Sequence, residues 1–350
     1  MTQSALSAIP ELNGLARGPY NGVETALRFS DVASELEALR TGCGVFDLSW
    51  RTLITASGKD RVRWLHNMVT NNIRDVAVNR GCYNFVLSAQ GRIQGDLYVF
   101  NLGEMLLLET DRTQVDALLP TLKRYIIMDK VELVPVGDSL TAIGVSGPKA
   151  EAVLRDAGID ASGMEPLETR ELTVGGAGVR LIRGPQQKSN WYELWIEPAR
   201  VGELWKSLVA AGAEPVGAEA LEIWRVLRGI PQYGIDIRDR DLPQETEQLQ
   251  ALHFSKGCYI GQEIVERIRA RGQVHRTFTG FEFEKAVPSP GKYDVEGRTV
   301  AEITTVAPVP AKTGERMIGL GYVRRESGEA GSTIDLNGAK AKIVALPFEN

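Results

Sequence analysis

The sequence has few of the residues that bind metals. Its three cysteines and three histidines lie far apart along the 350 residues, at Cys43, Cys82, Cys258, His66, His253 and His275. None of them shows CxxC, HxxxH or HExxH spacing, and cysteine must supply most ligands of structural zinc sites and iron-sulfur clusters. We therefore predict no intrinsic metal site.

The chain also lacks an excess of positive charge and a long apolar run. Its 40 Lys and Arg residues against 45 Asp and Glu give a formal net charge of -5, so no global positive field attracts nucleic acid or an anionic membrane. No apolar run approaches the roughly 20 residues that span a bilayer, and residues 1 to 30 contain polar residues throughout instead of an apolar signal core. We predict a cytoplasmic protein without nucleic-acid or membrane partners.

The order of helical and strand patterns indicates the fold class. A chain of 350 residues that is 43% hydrophobic is expected to form two or three domains. From Val45 onward, short β-rich runs alternate with helices that carry clear start and stop signals. The connection between the β-runs at 83–88 and 97–100 is too short for a parallel crossover. We therefore predict an α+β fold with antiparallel sheets.

The C-terminal part has a different pattern. After about Val274 the helical period disappears, and Phe281-Glu282-Phe283-Glu284 alternates as a strand does. Asn337-Gly338 is typical of a hairpin turn. We predict an α+β region over residues 1–274 and a separate all-β, barrel-like domain over residues 275–350.

The most unusual stretch runs from Phe254 to Glu263 and is followed by a cluster of arginines. Between positions 256 and 276 five basic residues stand against two acidic ones: Lys256, Arg267, Arg269, Arg271 and Arg276 against Glu263 and Glu266. A local positive charge in a negative chain favours a site for a modest anion. The alternative is a solvated helix face, because Glu263, Arg267 and Arg271 follow four-residue spacing.

Glycines within this stretch permit tight turns, so Cys258 and Tyr259 are expected at a loop surface beside Lys256. A nearby ammonium favours the thiolate form of a cysteine. The alternative is that Cys258 is a small buried hydrophobic residue and Tyr259 a packing residue.

A second candidate is the segment Gln90-Gly91-Arg92-Ile93-Gln94-Gly95-Asp96-Leu97, a turn that leads into a strand. A carboxylate at the start of that strand can face a cleft, where Asp96 could accept or relay a proton. The alternative is that Asp96 is a turn former, as an Asp after Gly most often is.

These two stretches occur together in a known family. With Lys256-Gly257-Cys258-Tyr259-Ile260-Gly261-Gln262-Glu263 as its signature, the chain resembles the folate-binding YgfZ family, a branch of the superfamily of glycine-cleavage T-proteins (aminomethyltransferases). The likeness covers nearly the whole chain, including the segments at 44–49, 67–72, 146–150, 228–234 and 242–245.

The resemblance implies two interleaved α+β domains around a central cavity for tetrahydrofolate or a one-carbon-substituted reduced folate, closed by the C-terminal β-barrel. In T-proteins an Asp at the position of Asp96 lies beside the folate and assists one-carbon transfer. YgfZ-like proteins are associated with assembly or repair of iron-sulfur clusters, and there the loop cysteine, here Cys258, is the suspected reactive residue. Lys256 is its expected activator.

Folate binding fits the residue inventory, because a flat pterin needs an aromatic wall and directed hydrogen bonds while its glutamate tail needs cations. The predicted cofactor-binding residues are Tyr83, Tyr192, Glu193, Tyr259, Arg267 and Arg271. For each aromatic residue the alternative is a position in the core.

Two departures from the T-protein pattern bear on activity. T-proteins usually show paired aspartates where this chain has Gly95-Asp96, and a Glu where it has Ser189. Our main hypothesis is therefore a tetrahydrofolate-binding YgfZ-like protein that supports iron-sulfur cluster assembly or repair, with client or assembly proteins as partners. The alternatives are an aminomethyltransferase that moves a one-carbon unit from an aminomethyl-lipoyl carrier to tetrahydrofolate, and a folate-storing or scaffolding protein.

Overall fold

The computed structural model describes residues 2–185, 190–272, 274–284, 287–311 and 314–349, and at Arg271 the backbone alone. The chain divides into two compact units. Unit 1 comprises Met1–His66, Asn71–Asn84 and Leu97–Leu221, and unit 2 comprises Asn67–Thr70, Phe85–Asp96 and Glu222–Asn350. The predicted boundary between residues 274 and 275 is a different division of the chain and stays a prediction.

The helices, in chain order, are α1 (Val32–Thr41), α2 (Arg61–Met68), α3 (Arg112–Lys123), α4 (Ala150–Asp156), α5 (Val201–Ala210), α6 (Ala218–Leu227) and α7 (Gln262–Arg271). Asp31 caps α1 by accepting a hydrogen bond from Ser34 N at 3.0 Å, which satisfies one of the unpaired donors of the first turn. Among the described residues, no helix combines the length and the apolar composition needed to cross a membrane.

The strands of the first two-thirds of the chain are β1 (Thr2–Gln3), β2 (Arg17–Tyr20), β3 (Val23–Ala26), β4 (Gly44–Asp47), β5 (Arg51–Ser57), β6 (Arg80–Leu87), β7 (Ile93–Asn101), β8 (Leu106–Asp111), β9 (Glu132–Pro135), β10 (Thr141–Ser146), β11 (Thr169–Val174), β12 (Ala177–Arg183), β13 (Trp191–Ile196) and β14 (Glu214–Val216). They form sheets of order β1-β3-β2, β6-β7-β8-β5-β9 and β11-β12-β13-β10-β4-β14.

In unit 1, the six-stranded sheet is antiparallel except for the parallel pair β4 and β14. One of its faces forms a large apolar core with α4 and α5, in which Val145, Leu194, Leu154 and Trp205 are buried. Successive side chains of a strand point to opposite faces, so every second residue of β13 is directed away from this core. That second face carries Glu193.

The C-terminal strands are β15 (Arg276–Phe283), β16 (Gly291–Val295), β17 (Arg298–Pro310), β18 (Glu315–Arg324), β19 (Thr333–Leu336) and β20 (Ala339–Val344). They form a nearly closed, barrel-like antiparallel sheet of order β16-β17-β18-β15-β20-β19. Phe281, Ile303, Val323 and Ile343 fill its core. The predicted fold class, α+β with antiparallel sheets and a C-terminal β-barrel, is confirmed.

Candidate functional site

The signature Lys256–Glu263 forms a loop that runs into α7 in unit 2. Two backbone hydrogen bonds tie the loop to the segment at the end of α2. His253 N donates to Thr70 O at 3.2 Å, and Ile260 N donates to Asn67 O at 3.2 Å. Two segments that carry the sequence resemblance are therefore partners in the fold.

Lys256 is buried and anchors this loop. Its Nζ donates to the carbonyl oxygen of Val69 at 2.6 Å and lies 5.0 Å from the ring centroid of Tyr259. Tyr259 is 8% exposed, and its burial raises the pKa of its hydroxyl well above the ordinary value, with Glu266 adding to the effect. The ammonium of Lys256 thus anchors the loop, and the phenol of Tyr259 stays protonated at neutral pH.

Cys258 is exposed on the same loop, whereas Cys43 is buried and Cys82 is half-buried. Burial, helped by the charge of Glu214, raises the pKa of Cys43 to about 12, so that thiol is inert at neutral pH. Over the described ranges, no three His, Cys, Asp or Glu side chains are grouped to hold a metal ion. Cys258 is therefore presented as a single accessible thiol.

Close backbone approach joins the two candidate stretches within unit 2. A Cβ added at Gly91 would lie 2.7 Å from the Cβ of Ile264, and one added at Gly261 would lie 2.6 Å from the carbonyl oxygen of Ser88. Both glycines also have positive φ, at +71° and +83°, a region that other residues rarely adopt. The turn before β7 and the start of α7 can pack together only because both positions are glycine.

Asp96 lies on the half-exposed face of β7, two residues after Gln94. Burial raises the pKa of Tyr233, in the turn after α6, to about 12, and the nearby carboxylates of Asp239, Asp96 and Asp241 contribute. Asp96 is thus a partly accessible carboxylate near a phenol that stays protonated at neutral pH. This is a suitable arrangement for accepting a proton from a ligand.

The predicted arginine site on α7 is described only in part. The side chain of Arg267 is exposed, and that of Arg271 lies outside the described residues. Arg269 is also exposed, lies 4.7 Å from the ring centroid of Phe254, and donates from Nη1 to the carbonyl oxygen of Phe254 at 3.0 Å. The assignment of Arg267 and Arg271 to a folate tail stays a prediction.

Glu193 is the centre of a polar cluster in unit 1. It is 9% exposed on β13, between two tryptophans that share its face of the strand. Trp191 Nε1 donates to Oε1 at 3.1 Å, and Trp195 Nε1 donates to Oε2 at 3.3 Å. Each carboxylate oxygen therefore accepts one indole N–H, which occupies two of the four acceptor positions of the carboxylate.

Tyr192 takes the opposite face of the same strand. Its side chain is fully buried within the apolar core of unit 1, with Val145, Leu181 and Leu194 in the same cluster. The alternation of β13 decides this difference from Glu193, because neighbouring residues of a strand point in opposite directions. Tyr192 therefore occupies a core position, and Glu193 is the residue of this pair that faces the polar cluster.

Three further charged groups extend the Glu193 cluster: Arg51, Glu109 and Asp111. Arg51 Nε donates to Glu109 Oε1 at 2.7 Å, and Nη1 donates to Asp111 Oδ1 at 2.6 Å. Burial raises the pKa of Glu109 to about 8, opposed by Arg51 and assisted by the charge and hydrogen bonding of Glu193. Glu109 therefore keeps its proton at neutral pH and donates it to Glu193.

Sequence reasoning missed Arg51 and Glu109. The available signal was an acidic residue at the end of the apolar run Leu106-Leu107-Leu108, since a carboxyl group in a buried strand requires a partner.

Tyr83 is 7% exposed on β6 in unit 1, and its ring centroid lies 4.9 Å from that of Tyr98. The planes meet at 36°, so the pair forms a tilted aromatic contact. Such a pair can serve as one wall of a flat ligand site or as ordinary packing.

Two cavities are found in unit 2, of about 870 Å³ and 240 Å³. Arg228, Phe278 and Arg325 line the larger one. Arg276, from the basic cluster predicted to attract an anion, lines the smaller one. The predicted catalytic and cofactor-binding residues are not among the described residues that line either cavity.

Comparison with known proteins places the chain in a family. The family model described as the GCVT N-terminal domain matches residues 11–256. The chain belongs to the GCVT family. An aminomethyltransferase of Bacillus subtilis (strain 168) is 27% identical over 344 residues, covering 94% of both chains, and one of Symbiobacterium thermophilum is 28% identical over 349 residues, covering 94% of this chain and 92% of the relative.

A solved structure shares the GCVT fold along the whole chain. The glycine cleavage system aminomethyltransferase T from Bartonella henselae superposes with a TM-score of 0.88 over 99% of this chain and 98% of its own, at 20% identity. At that identity the likeness establishes the fold. The resemblance to the glycine-cleavage T-protein superfamily is confirmed, and membership of the YgfZ branch stays a prediction.

Proposed function

We propose that the chain binds a reduced folate and that Glu193 holds the pterin edge. The observation that carries this proposal is the Glu193 carboxylate, which two indole N–H donors hold in place and which, after the Glu109 proton is counted, keeps one acceptor position. A pterin edge presents N–H donors, one of which this position can accept. Because Glu193 is only 9% exposed, such a bond would form with little competition from water.

The charges around Glu193 also fit a donor-rich edge. Three carboxyl groups, Glu109, Asp111 and Glu193, act on the single guanidinium of Arg51 and raise its pKa despite the opposing effect of burial. Even with Glu109 protonated, one negative charge remains in excess. A neutral ligand that donates hydrogen bonds is favoured at such a site, and a further anion is not.

Tetrahydrofolate, when bound, supplies an amine nucleophile that carries a one-carbon unit. The residues of unit 1 would bind and orient it. Glu193 orients the pterin edge, and Tyr83 supplies an aromatic surface.

Replacing Glu193 by Gln is expected to weaken tetrahydrofolate binding about 10- to 100-fold, since one acceptor becomes an NH2 group that faces both an indole N–H and the pterin donors. Isothermal titration calorimetry with the full chain measures this. Glu171→Gln, on an exposed position of the same sheet, is the matched control and should bind as the unaltered protein does. Equal affinity of Glu193→Gln and Glu171→Gln would remove Glu193 from the site.

We further propose that the folate-binding chain acts in the YgfZ manner, supporting iron-sulfur cluster assembly or repair in client enzymes. The exposure of Cys258 supports this reading, because an exposed thiol on an anchored loop is accessible to a protein partner. The ammonium of Lys256 donates to Val69 O and anchors the loop, and its activation of Cys258 stays a prediction.

Cys258→Ser is expected to abolish most rescue of iron-sulfur enzyme activity in a deletion strain while leaving tetrahydrofolate affinity unchanged. Cys82→Ser is the control, because its half-buried thiol already accepts a hydrogen bond from Asn84 Nδ2 at 3.3 Å. Full rescue by Cys258→Ser would exclude a thiol-dependent role.

A second candidate function is aminomethyl transfer to tetrahydrofolate, which the names of the relatives at 27% and 28% identity favour. Purified protein mixed with an aminomethyl-lipoyl carrier and tetrahydrofolate would then release ammonia and methylene-tetrahydrofolate, and Asp96→Asn would lose that activity. Under the YgfZ reading no such turnover occurs.

A further inference from the structure

A cavity of about 240 Å³ in unit 2 is lined mainly by basic side chains. Four cations face it, from Arg240, Arg276, Lys292 and Arg324, against the single carboxylate of Glu302. The remaining lining consists of Thr299, Ala301 and Tyr322. A pocket with this composition is a candidate for an anion.

Much of the positive charge around the cavity is already compensated by carboxylates. Glu302 accepts from Arg238 Nη1 at 2.9 Å, Arg240 Nη2 at 2.6 Å and Arg276 Nη1 at 3.0 Å. Arg276 Nη2 also donates to Asp241 Oδ1 at 2.6 Å and Glu245 Oε2 at 3.0 Å. Three carboxylates and three guanidinium groups therefore balance in this network.

Lys292 and Arg324 remain outside that balance. Lys292 has no carboxylate partner within ion-pair distance in the part of the chain that the structure describes. Arg324 Nη1 lies 3.8 Å from Glu326 Oε1, and the two side chains are 44% and 70% exposed, so this pair contributes little. Two positive charges are thus available to a ligand in the cavity.

Two of the lining arginines, Arg276 and Arg240, have fixed partners before any ligand arrives. The Arg276 guanidinium lies 4.3 Å from the ring centroid of Tyr322, a residue that is 1% exposed. Arg240 meets Glu302 through Nη2, so the rest of its guanidinium fork can face the cavity. Donors fixed in this way lose little conformational entropy when they bind an anion.

We propose that this cavity is a second binding site, independent of the folate proposal, for a small dianion of the phosphate class. A phosphate dianion matches the two uncompensated charges. Its tetrahedral oxygens also accept from guanidinium forks and an ammonium at the same time. A dicarboxylate such as glutarate carries equal charge on two planar carboxylate groups separated by a flexible chain, so its charge is less concentrated at one point than that of phosphate.

The test is calorimetric titration of the full chain at low ionic strength with inorganic phosphate and, separately, with glutarate. Phosphate is expected to bind more tightly than glutarate. The double variant Lys292→Ala/Arg324→Ala should weaken phosphate binding at least tenfold, with an unchanged unfolding midpoint because both side chains lie outside the buried network.

The double variant Lys340→Ala/Lys342→Ala removes the same charge from exposed positions of β20 and should retain phosphate affinity. Equal loss in the two double variants would show a general charge effect and overturn the site. Undetectable phosphate binding, or tighter binding of glutarate, would also overturn it. None of these measurements involves folate, so their failure is distinct from failure of the proposed function.

Discussion

Arg276→Met is expected to lower the free energy of unfolding by about 3–5 kcal/mol, the usual cost of removing one partner from a buried ionic cluster. Burial alone would lower the pKa of Arg276, yet Glu245 and Asp241 raise it above the ordinary value. The substitution leaves three buried carboxylates, Asp241, Glu245 and Glu302, with less compensation than they require.

Urea unfolding followed by circular dichroism measures this loss. Arg316→Met in the same sheet is the matched control, because Arg316 pairs with Glu282 at 2.7 Å where both side chains are about one-third exposed. Its effect should stay below about 1 kcal/mol, as for other solvent-exposed pairs. If both variants lost the same free energy of unfolding, the Arg276 cluster would stabilise unit 2 no more than an exposed ion pair does.

Local sequence patterns predict the features of this chain that depend on neighbouring residues. The loss of helical period after Val274 precedes the barrel-like sheet that begins at Arg276. The glycines of the signature indicate a loop, and the structure places Cys258 in that loop, exposed. In each case the cause is short-range: strand alternation, or the backbone freedom of glycine.

Local sequence patterns do not predict contacts between residues that are distant in the sequence. Lys256 stands beside Cys258 in the sequence, which favours an electrostatic effect on the thiol, but its ammonium binds the carbonyl of Val69, 187 positions away. Arg51 and Glu109 meet across 58 positions because β5 and β8 are paired. Neither partner is visible without the register of the sheet or the course of the loop.

The Trp191–Ile196 strand shows the same limit at the scale of one residue. Tyr192 and Glu193 are adjacent and both were predicted to bind the cofactor, yet a strand directs them to opposite faces. Which face meets the core is decided by α4 and α5, whose apolar residues cover Tyr192. Strand alternation predicts that the two side chains lie on opposite faces, and only the tertiary packing determines which face is the buried apolar one.

Glu109→Gln is expected to change how stability depends on pH. Burial, supported by Glu193, raises the pKa of Glu109 to about 8 from an ordinary 4.5. A carboxyl whose folded-state pKa is raised holds its proton more firmly in the folded protein than in the unfolded chain. Its contribution to stability is fully present below pH 4.5 and is lost as the pH rises toward about 8.

The magnitude follows from the same linkage. Between those two values the free energy of unfolding of the unaltered protein should carry a downward component of up to about 1.4 kcal/mol per pH unit. The charged groups around Glu109 are Arg51 of β5, Glu193 of β13 and Asp111 of the same strand, β8. Glutamine preserves a donor toward Glu193 without the titratable proton, and Glu109→Gln should lack this component.

Urea unfolding at pH 5, 6, 7 and 8 compares Glu109→Gln with the unaltered protein and with Glu104→Gln, an exposed carboxyl in the turn before the same strand. Glu109→Gln should differ most from the other two proteins at pH 8, where it becomes the most stable of the three because it avoids a second negative charge beside Glu193. Parallel curves for all three would show that Glu109 is ionised throughout. In that case Glu193 would not be held by a shared proton, and only the indole donors of Trp191 and Trp195 would remain to fix it.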